Sequence, residues 1–261
     1  MRLFILFLVV TALTKCQSNQ NDAVDTNAIQ ERKTISFIKE LLPDKKDKFP
    51  FETNAGKLHY DSTLTLIASQ KIAHNNAFNQ SQISIDSVGQ YFCHALVNEI
   101  IPYWYGTTWD FNGHTDRPNE GVIACGYFVS TTLRHFDVKV NRFKLAQQAS
   151  LNIVKSLACD TKIYSYSNPD KIKMLEELKS NLEEGLYVVG LSNHVGFLFL
   201  KDREVYFLHS TFLTPGAVIA ELAEKSDAFM WSDVYYIGSV SNNPSLMKKW
   251  LNGEQLAIIG A

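Results

Sequence analysis

Apolar residues recur three and four positions apart through the first two thirds of the chain, and this spacing predicts amphipathic helices. After Gly185 the pattern changes to runs of β-branched and aromatic residues, which predict strands. The predicted helices cover residues 28–42, 63–77, 87–101, 141–157, 171–184 and 217–225, and the predicted strands cover residues 186–191, 194–200, 204–209 and 234–240. Helices followed by an antiparallel meander indicate an α+β fold.

The N-terminal residues form a different kind of segment. Arg2 precedes the apolar run 3–13, which is too short to cross a membrane as a stable helix and is typical of a signal peptide. The run leads to Cys16 and then to polar residues, an order that resembles a bacterial lipoprotein signal. The resemblance implies that Cys16 is lipidated and anchors an exported protein in the cell envelope, in the periplasm or at the outer membrane. Lys15 stands where that signal prefers a small residue, so plain secretion stays open.

These patterns divide the chain into four segments. They are a signal peptide at 1–16, a polar tether at 17–27, a helical prefix at 28–85 and a main domain at 86–261. With 46% hydrophobic residues, the chain can bury a sizeable core. A net charge of −2 without a long basic run gives no indication of nucleic acid as a partner.

Cys125 is the candidate nucleophile. It stands at a predicted helix start, after an aromatic, glycine-broken loop at 102–113. The positive end of a helix dipole and its free amides favour a thiolate, and the same amides can hold the oxyanion of an attacked carbonyl. Export leaves an odd number of cysteines after Cys16, so at least one thiol is unpaired. A Cys93–Cys159 disulfide would leave Cys125 free, although spacing does not establish this pairing.

Two histidines are placed to complete a catalytic site. A two-residue turn at 202–203 would put His194 and His209 on one face of a hairpin, as diagonal neighbours roughly 7 Å apart at the backbone. An odd-length turn would put them on opposite faces. In the first arrangement His194 would take the proton from Cys125, and His209 would orient the His194 ring. Gly196 would leave room beside the imidazole.

Four motifs, in this order, resemble the NlpC-type cell-wall peptidases, papain-like cysteine enzymes that cut peptide bonds in peptidoglycan stems. The motifs are Pro102-Tyr-Trp-Tyr-Gly106, Gly121-Val-Ile-Ala-Cys-Gly-Tyr-Phe-Val129, Asn193-His-Val-Gly-Phe-Leu198 and Phe207-Leu-His-Ser210. The resemblance spans about residues 87–240 and implies a papain-like α+β fold, with the cysteine on a helix packed against an antiparallel sheet. It implies that Cys125 is the nucleophile, His194 the base, His209 the third polar residue and Tyr103 the tyrosine beside the nucleophile.

The aromatic loop is expected to contact the substrate. Tyr103 and the Cys125 amide are predicted to stabilise the oxyanion, while Trp104, Tyr105 and Trp109 are predicted to bind substrate. Packing in the core stays open as an alternative for each of these aromatic residues. The implied substrate is an amide bond in a cell-wall peptide. No cofactor is implied, and no histidines or cysteines show metal-ligand spacing.

Departures from the family motifs motivate other hypotheses. Ala124 replaces the family's Asp, Gly126 replaces its Ser, and a helical insertion at about 141–184 separates the cysteine from the histidines. One alternative is a lipid-anchored binding or scaffold protein that keeps the fold without catalysis, and another is an amidase or acyltransferase on a different amide. Cys93 beside His94 is a rival nucleophile, but adjacent residues on a helix do not face each other.

Overall fold

The described part of the chain, residues 59–261 of a computed structural model, combines helices with an antiparallel sheet. The helices are α1 (Tyr60–Asn79), α2 (Ile85–Ala95), α3 (Ile101–Trp104), α4 (Cys125–His135), α5 (Arg142–Ala146), α6 (Ser150–Ala158), α7 (Lys171–Asn181), α8 (Asp227–Met230) and α9 (Pro244–Asn252). The strands are β1 (Ile163–Ser167), β2 (Gly185–Leu191), β3 (Val195–Lys201), β4 (Glu204–Ser210), β5 (Val218–Leu222) and β6 (Val234–Ser239). A π-helical turn at Leu96–Ile100 joins α2 to α3. The predicted α+β class is confirmed.

The sheet has the order β1-β6-β2-β3-β4-β5, and every neighbouring pair is antiparallel. Its central strands are buried on both faces, because alternate residues enter two separate cores. Val188 and Phe197 belong to the core that helix α4 shares. Val189 and Phe207 belong to the core formed with α7 and α8. A site on β3 and β4 is therefore held by packing on both sides.

Two regions predicted to be helical contain strands. Residues 217–225 form β5 and a 3-10 turn, although their alanine- and glutamate-rich sequence favours a helix by propensity. Pairing with β4, from Ser210 opposite Val218 to Tyr206 opposite Leu222, overrides that propensity. Strand β1 lies inside the region 141–184 and pairs with β6 at the sheet edge. The helix predicted at 217–225 was wrong and β1 was missed, because each strand depends on a partner outside its own segment. The helical character predicted at 141–157 and 171–184 is confirmed by α5, α6 and α7.

The helix predicted at 87–101 was expected to end before Pro102, but the chain stays helical beyond it. Pro102 lies in the first turn of α3, where its missing N–H would have no helical partner. The π-helical turn at Leu96–Ile100 accommodates the change just before it. The chain therefore remains helical as far as Trp104. As a result Tyr103 and Trp104 pack among the helices of the core.

Helix α1 packs as part of the main core. The Tyr60 hydroxyl accepts a hydrogen bond from the Trp104 indole N–H at 2.9 Å and lies 2.8 Å from Nδ1 of His135. Lys71 pairs with Asp137 at 2.7 Å. The helix predicted at 63–77 is thus confirmed. The predicted signal peptide, the tether, the helix at 28–42 and Cys16 lie outside the described residues. Within residues 59–261, no helix has both the length and the apolar character needed to cross a membrane.

Candidate active site

Cys125 is the first residue of α4, as predicted. The preceding residue, Ala124, has extended backbone and no capping side chain, so the amides of the first helical turn stay open towards the thiol. The Ala124 N–H donates to the Gly113 carbonyl at 2.8 Å, and the Ser210 hydroxyl donates to the Ile123 carbonyl at 2.7 Å. These bonds tie the residues before Cys125 to the loop and to β4.

Gly126 lets α5 approach the start of α4. A β-carbon at this position would lie 2.6 Å from the carbonyl oxygen of Ala146, which is closer than real contacts allow. The family that the motifs resemble has Ser at this position, but the packing in this chain requires glycine. This departure from the family motif has a packing cause and is not in itself a sign of lost chemistry.

His194 and His209 lie side by side, as the hairpin geometry predicts. Asp202 and Arg203 both have positive φ angles and form a two-residue turn, which sets the register of β3 against β4. Nε2 of His194 lies 2.8 Å from Nδ1 of His209, with the two rings nearly perpendicular at 79°. Both side chains are buried, with relative exposures of 5% and 0%. The shared face is confirmed.

Gly196 makes room for this arrangement. A β-carbon on Gly196 would lie 2.6 Å from the Phe207 ring and 2.9 Å from Cβ of His209. Phe207 in turn stacks on the His209 ring, with centroids 4.0 Å apart. The imidazole of His209 is therefore held between neighbours that leave it one orientation.

Glu221 extends the histidine pair into a chain of three side chains. Its Oε1 lies 3.0 Å from Nε2 of His209. Because His209 pairs with Ile219 across the β4–β5 ladder, Glu221 is a diagonal neighbour on the same face. The sequence analysis missed Glu221 because it predicted a helix at 217–225. Had this segment been predicted as a strand, the alternation of side chains along it would have put residues 219 and 221 on one face and indicated Glu221 as a neighbour of His209.

The carboxylate of Glu221 sets the tautomers of both rings. An ionised carboxylate only accepts hydrogen bonds, so Nε2 of neutral His209 carries the proton and Nδ1 is an acceptor. Nε2 of His194 must then donate to that acceptor. It follows that Nδ1 of His194 carries a lone pair and can act as a base.

Burial keeps these groups uncharged in the resting protein. It lowers the pKa of His209 to about 3 and, with His209 beside it, holds the pKa of His194 well below its ordinary value. Burial also raises the pKa of the Cys125 thiol, against the stabilising backbone amides of Val195, Gly126 and Cys125 itself. The resting pair is therefore a neutral thiol and a neutral imidazole.

Glu221 is less enclosed than the histidines. Its side chain is 26% exposed. Burial raises the pKa of its carboxyl group, and a hydrogen bond with the Ser226 side chain opposes this change by favouring the charged form. Partial contact with water and the Ser226 contact both support an ionised carboxylate at neutral pH.

Nδ1 of His194 is buried and has no hydrogen-bond partner among the described residues. Buried side-chain nitrogens without a partner are uncommon in folded proteins and call for an explanation. Cys125 and His194 line the same cleft, and the amide of the next residue, Val195, stabilises the Cys125 thiolate. The sulfur and Nδ1 do not form a hydrogen bond here, which is common for catalytic pairs without a bound substrate.

The cleft has a volume of about 430 Å³, within the range of small-molecule sites. Two kinds of side chain join Cys125 and His194 in its lining. The aromatic ones are Trp109, Phe111, Tyr127 and Phe212, and the polar ones are the amides of Asn112, Gln147 and Asn193. Trp109 thus lies where the sequence analysis expected a substrate-binding residue.

Three other aromatic residues predicted for the site are not in the lining of this cleft. The Tyr103 hydroxyl lies 3.1 Å from Oγ1 of Thr63, and Trp104 is fully buried with its N–H on Tyr60. Tyr105 is also buried in the core. Their predicted roles in binding the oxyanion or substrate are corrected, since α3 carries Tyr103 and Trp104 towards α1.

The described cysteines are all free thiols, so the Cys93–Cys159 disulfide, which the sequence left open, is not formed. Cys93 lies inside α2, and burial raises its pKa to about 12. The adjacent His94 points its Nδ1 at the amide of Asn98, 3.2 Å away. The rival nucleophile therefore lacks the helix N-terminus that Cys125 has.

Within residues 59–261, no group of three or more His, Cys, Asp or Glu side chains could hold a metal ion. A scan of protein-family models and searches of the curated proteins and of the solved structures found no match to this chain.

Proposed function

We propose that this protein is a cysteine hydrolase that cleaves an amide bond through an acyl-enzyme intermediate on Cys125. The observation that supports this most is that His194 lines the cleft of Cys125, its buried Nδ1 has no hydrogen-bond partner among the described residues, and its Nε2 is held by His209. A base needs its lone pair free and its ring fixed. The chain from His194 through His209 to Glu221 meets both needs.

The proposed reaction has two halves. Nδ1 of His194 takes the proton of the Cys125 thiol as the sulfur attacks the carbonyl carbon, and the imidazolium then protonates the departing amine as the C–N bond breaks. The resulting thioester is attacked by water, whose proton passes to Nδ1. The C–S bond then breaks, which releases a carboxylic acid and restores the thiol. An amine in place of water would give acyl transfer.

The oxyanion would be stabilised by the Cys125 backbone amide, with a second donor from the side chains of the cleft. The amide groups of Asn112, Gln147 and Asn193 are the neutral donors in the lining, and they replace Tyr103 in this role. Gln147 lies next to Tyr127, with its amide nitrogen 3.3 Å from the phenol oxygen. Hydrogen-bond donors aimed at a developing oxyanion contribute much of the rate in acyl transfer.

Two resemblances in the sequence, one to a peptidase family and one to a lipoprotein signal, add two further proposals. The packing of α4 against β3 and β4 is compatible with a papain-like, NlpC-type fold. The amide would then lie in a peptidoglycan stem peptide, and a lipid anchor on Cys16 would keep the enzyme in the cell envelope. The substrate proposal rests on the four sequence motifs, and the anchor proposal rests on the lipoprotein-like signal that ends at Cys16.

A second candidate function is a binding or scaffold protein with the same fold. Two observations favour it: Cys125 and His194 are not hydrogen-bonded to each other, and burial raises the thiol pKa. The two candidates differ in whether His194 activates the thiol.

The alkylation rate of each thiol, followed by mass spectrometry on the full chain with iodoacetamide, separates these candidates. A neutral pair transfers its proton as the sulfur attacks, so the rate at Cys125 should stay nearly constant from about pH 6 to about pH 8. In His194→Ala only the thiolate reacts, and the rate should rise about tenfold per pH unit below the thiol pKa.

Cys93 and Cys159 serve as internal controls in the same spectra, because neither lies in the cleft lining. Their rates should follow ordinary thiolate behaviour in both proteins. If Cys125 also rises tenfold per pH unit in the unaltered protein, His194 is not its base. The binding-protein candidate is then preferred.

Glu221→Gln is expected to lower the Cys125 alkylation plateau by at least about tenfold, because a neutral amide can donate to His209 and reverse both tautomers. In the unaltered protein the plateau should be lost as pH falls through the raised pKa of Glu221, since the protonated carboxyl group then donates to His209. The variant should lack this acid limb.

Glu224→Gln, an exposed glutamate in the 3-10 turn after β5, is the matched control and should keep both the plateau and the acid limb. Equal profiles for Glu221→Gln and the unaltered protein would show that Glu221 does not set the tautomers.

A further inference from the structure

Aromatic side chains stand exposed at the cleft that contains Cys125. Phe111 is 78% exposed and Phe212 is 45% exposed, and the Trp109 ring lies 6.1 Å from that of Phe212. The Phe212 ring also lies 5.7 Å from the His194 ring. Neighbouring large apolar side chains that remain in contact with water usually mark a binding site. These aromatic rings therefore extend as far as the side chain of His194, the proposed base.

A second aromatic group is present near the same cleft. Tyr127 belongs to the lining, and its ring lies 5.8 Å from that of Phe143, which is 47% exposed. The guanidinium of Arg142 stacks over Phe143 at 4.4 Å. It donates its hydrogen bonds to Thr131 and to the His114 and Thr115 carbonyls. Arg142 therefore packs against this second aromatic group and makes its hydrogen bonds within the protein.

The cleft lining in the described part of the chain contains no Lys, Arg, Asp or Glu. Beyond Cys125 and His194, its polar groups are neutral: three side-chain amides, the Tyr127 hydroxyl and the Trp109 indole N–H. A substrate carboxylate placed there would lose water without gaining a cation, which costs free energy. An apolar group would instead cover the exposed rings and gain from their burial.

We propose that the cleft binds an uncharged, apolar acyl group, aromatic or straight-chain aliphatic, and presents its carbonyl to Cys125. This inference rests on the proposed function and narrows its substrate class. Peptides whose acyl side carries a free carboxylate close to the scissile bond would be disfavoured.

Three 4-nitrophenyl esters test the inference with the full chain. The acetyl, hexanoyl and glutaryl esters offer a short, a longer apolar and a longer carboxylate-bearing acyl group. Hydrolysis is followed by colour and acylation of Cys125 by mass spectrometry, with Cys125→Ala as the background. We expect kcat/KM for the hexanoyl ester to exceed the acetyl value at least about tenfold and the glutaryl value about a hundredfold.

Trp109→Ala should lower the hexanoyl-to-acetyl ratio about tenfold. Trp231→Ala is the matched control, because Trp231 is 66% exposed and lies outside the cleft lining, and it should keep the ratio. Phe111→Ala removes a highly exposed ring and repeats the test if Trp109→Ala does not fold.

The outcomes separate the two proposals. If none of the esters acylates Cys125 above the Cys125→Ala background, both the proposed function and this inference fail. If Cys125 is acylated but the three esters react equally, or the glutaryl ester reacts fastest, the proposed function stands and the inference is overturned. An unchanged ratio in both Trp109→Ala and Phe111→Ala overturns the aromatic site.

Discussion

Cys125→Ala is expected to abolish acyl transfer, with kcat/KM for an activated aryl ester falling by about four orders of magnitude or more. The reason is that the acyl-enzyme forms on the sulfur, and alanine offers no nucleophile in its place. The measurement is ester hydrolysis together with the mass of the acylated protein. The acyl adduct should disappear along with the activity.

Cys159→Ala is the control for this loss. Cys159 is a half-buried free thiol at the C-terminal end of α6, and its pKa is also raised by burial. We expect this variant to keep full activity. If Cys125→Ala retains activity or the adduct moves to another cysteine, the nucleophile has been assigned wrongly.

His194→Ala should lower kcat/KM by about 10²- to 10⁴-fold, the usual contribution of a positioned general base. The effect should be strongest near neutral pH. In the unaltered protein the lowered pKa of His194 keeps its ring neutral there, so the base is already available. Activity should fall only as pH drops through that lowered pKa or through the pKa of Glu221. The variant should gain activity with rising pH, as thiolate forms without a base.

His59→Ala, at an exposed imidazole just before α1, controls for the loss of a histidine as such and should leave the pH profile unchanged. Removing His194 also leaves Nδ1 of His209 without its partner, at a cost of about 1–3 kcal/mol. The thermal unfolding of His194→Ala must therefore be measured beside its kinetics. A folded His194→Ala protein with a normal pH profile would contradict the proposed base.

The protonation state distinguishes this site from a cysteine–histidine ion pair. Burial disfavours charge on both Cys125 and His194, so the proton moves during the attack rather than before it. The relay through His209 to Glu221 would then stabilise the imidazolium that forms on His194.

Local sequence patterns were sufficient for several features of the site. The two positive-φ residues of the hairpin turn and the alternation of β3 and β4 placed His194 and His209 on one face. The start of α4 at Cys125 was also predicted, because an aromatic, glycine-broken loop precedes it. These features depend on residues near each other in sequence.

Other features were not accessible from local patterns. Strand β5 was mistaken for a helix, and Glu221 was missed with it. The segment forms a strand because it pairs with the edge of β4, a partner outside the segment. Tyr103 and Trp104 were assigned to the site because residues 102–106 resemble the aromatic loop of the family, whereas the chain stays helical through Trp104. Neither error could be corrected from the sequence alone, because the sequence does not show which element each segment packs against.

The sequence by itself determined the α+β class, the candidate nucleophile and the two histidines, since periodicity and turn geometry act over a few residues. Only the tertiary structure decided the acceptor at the end of the relay, the aromatic residues that line the cleft and the charge state of the thiol and imidazole. Those depend on strand pairing and on burial, which bring together residues far apart in the chain and remove them from water.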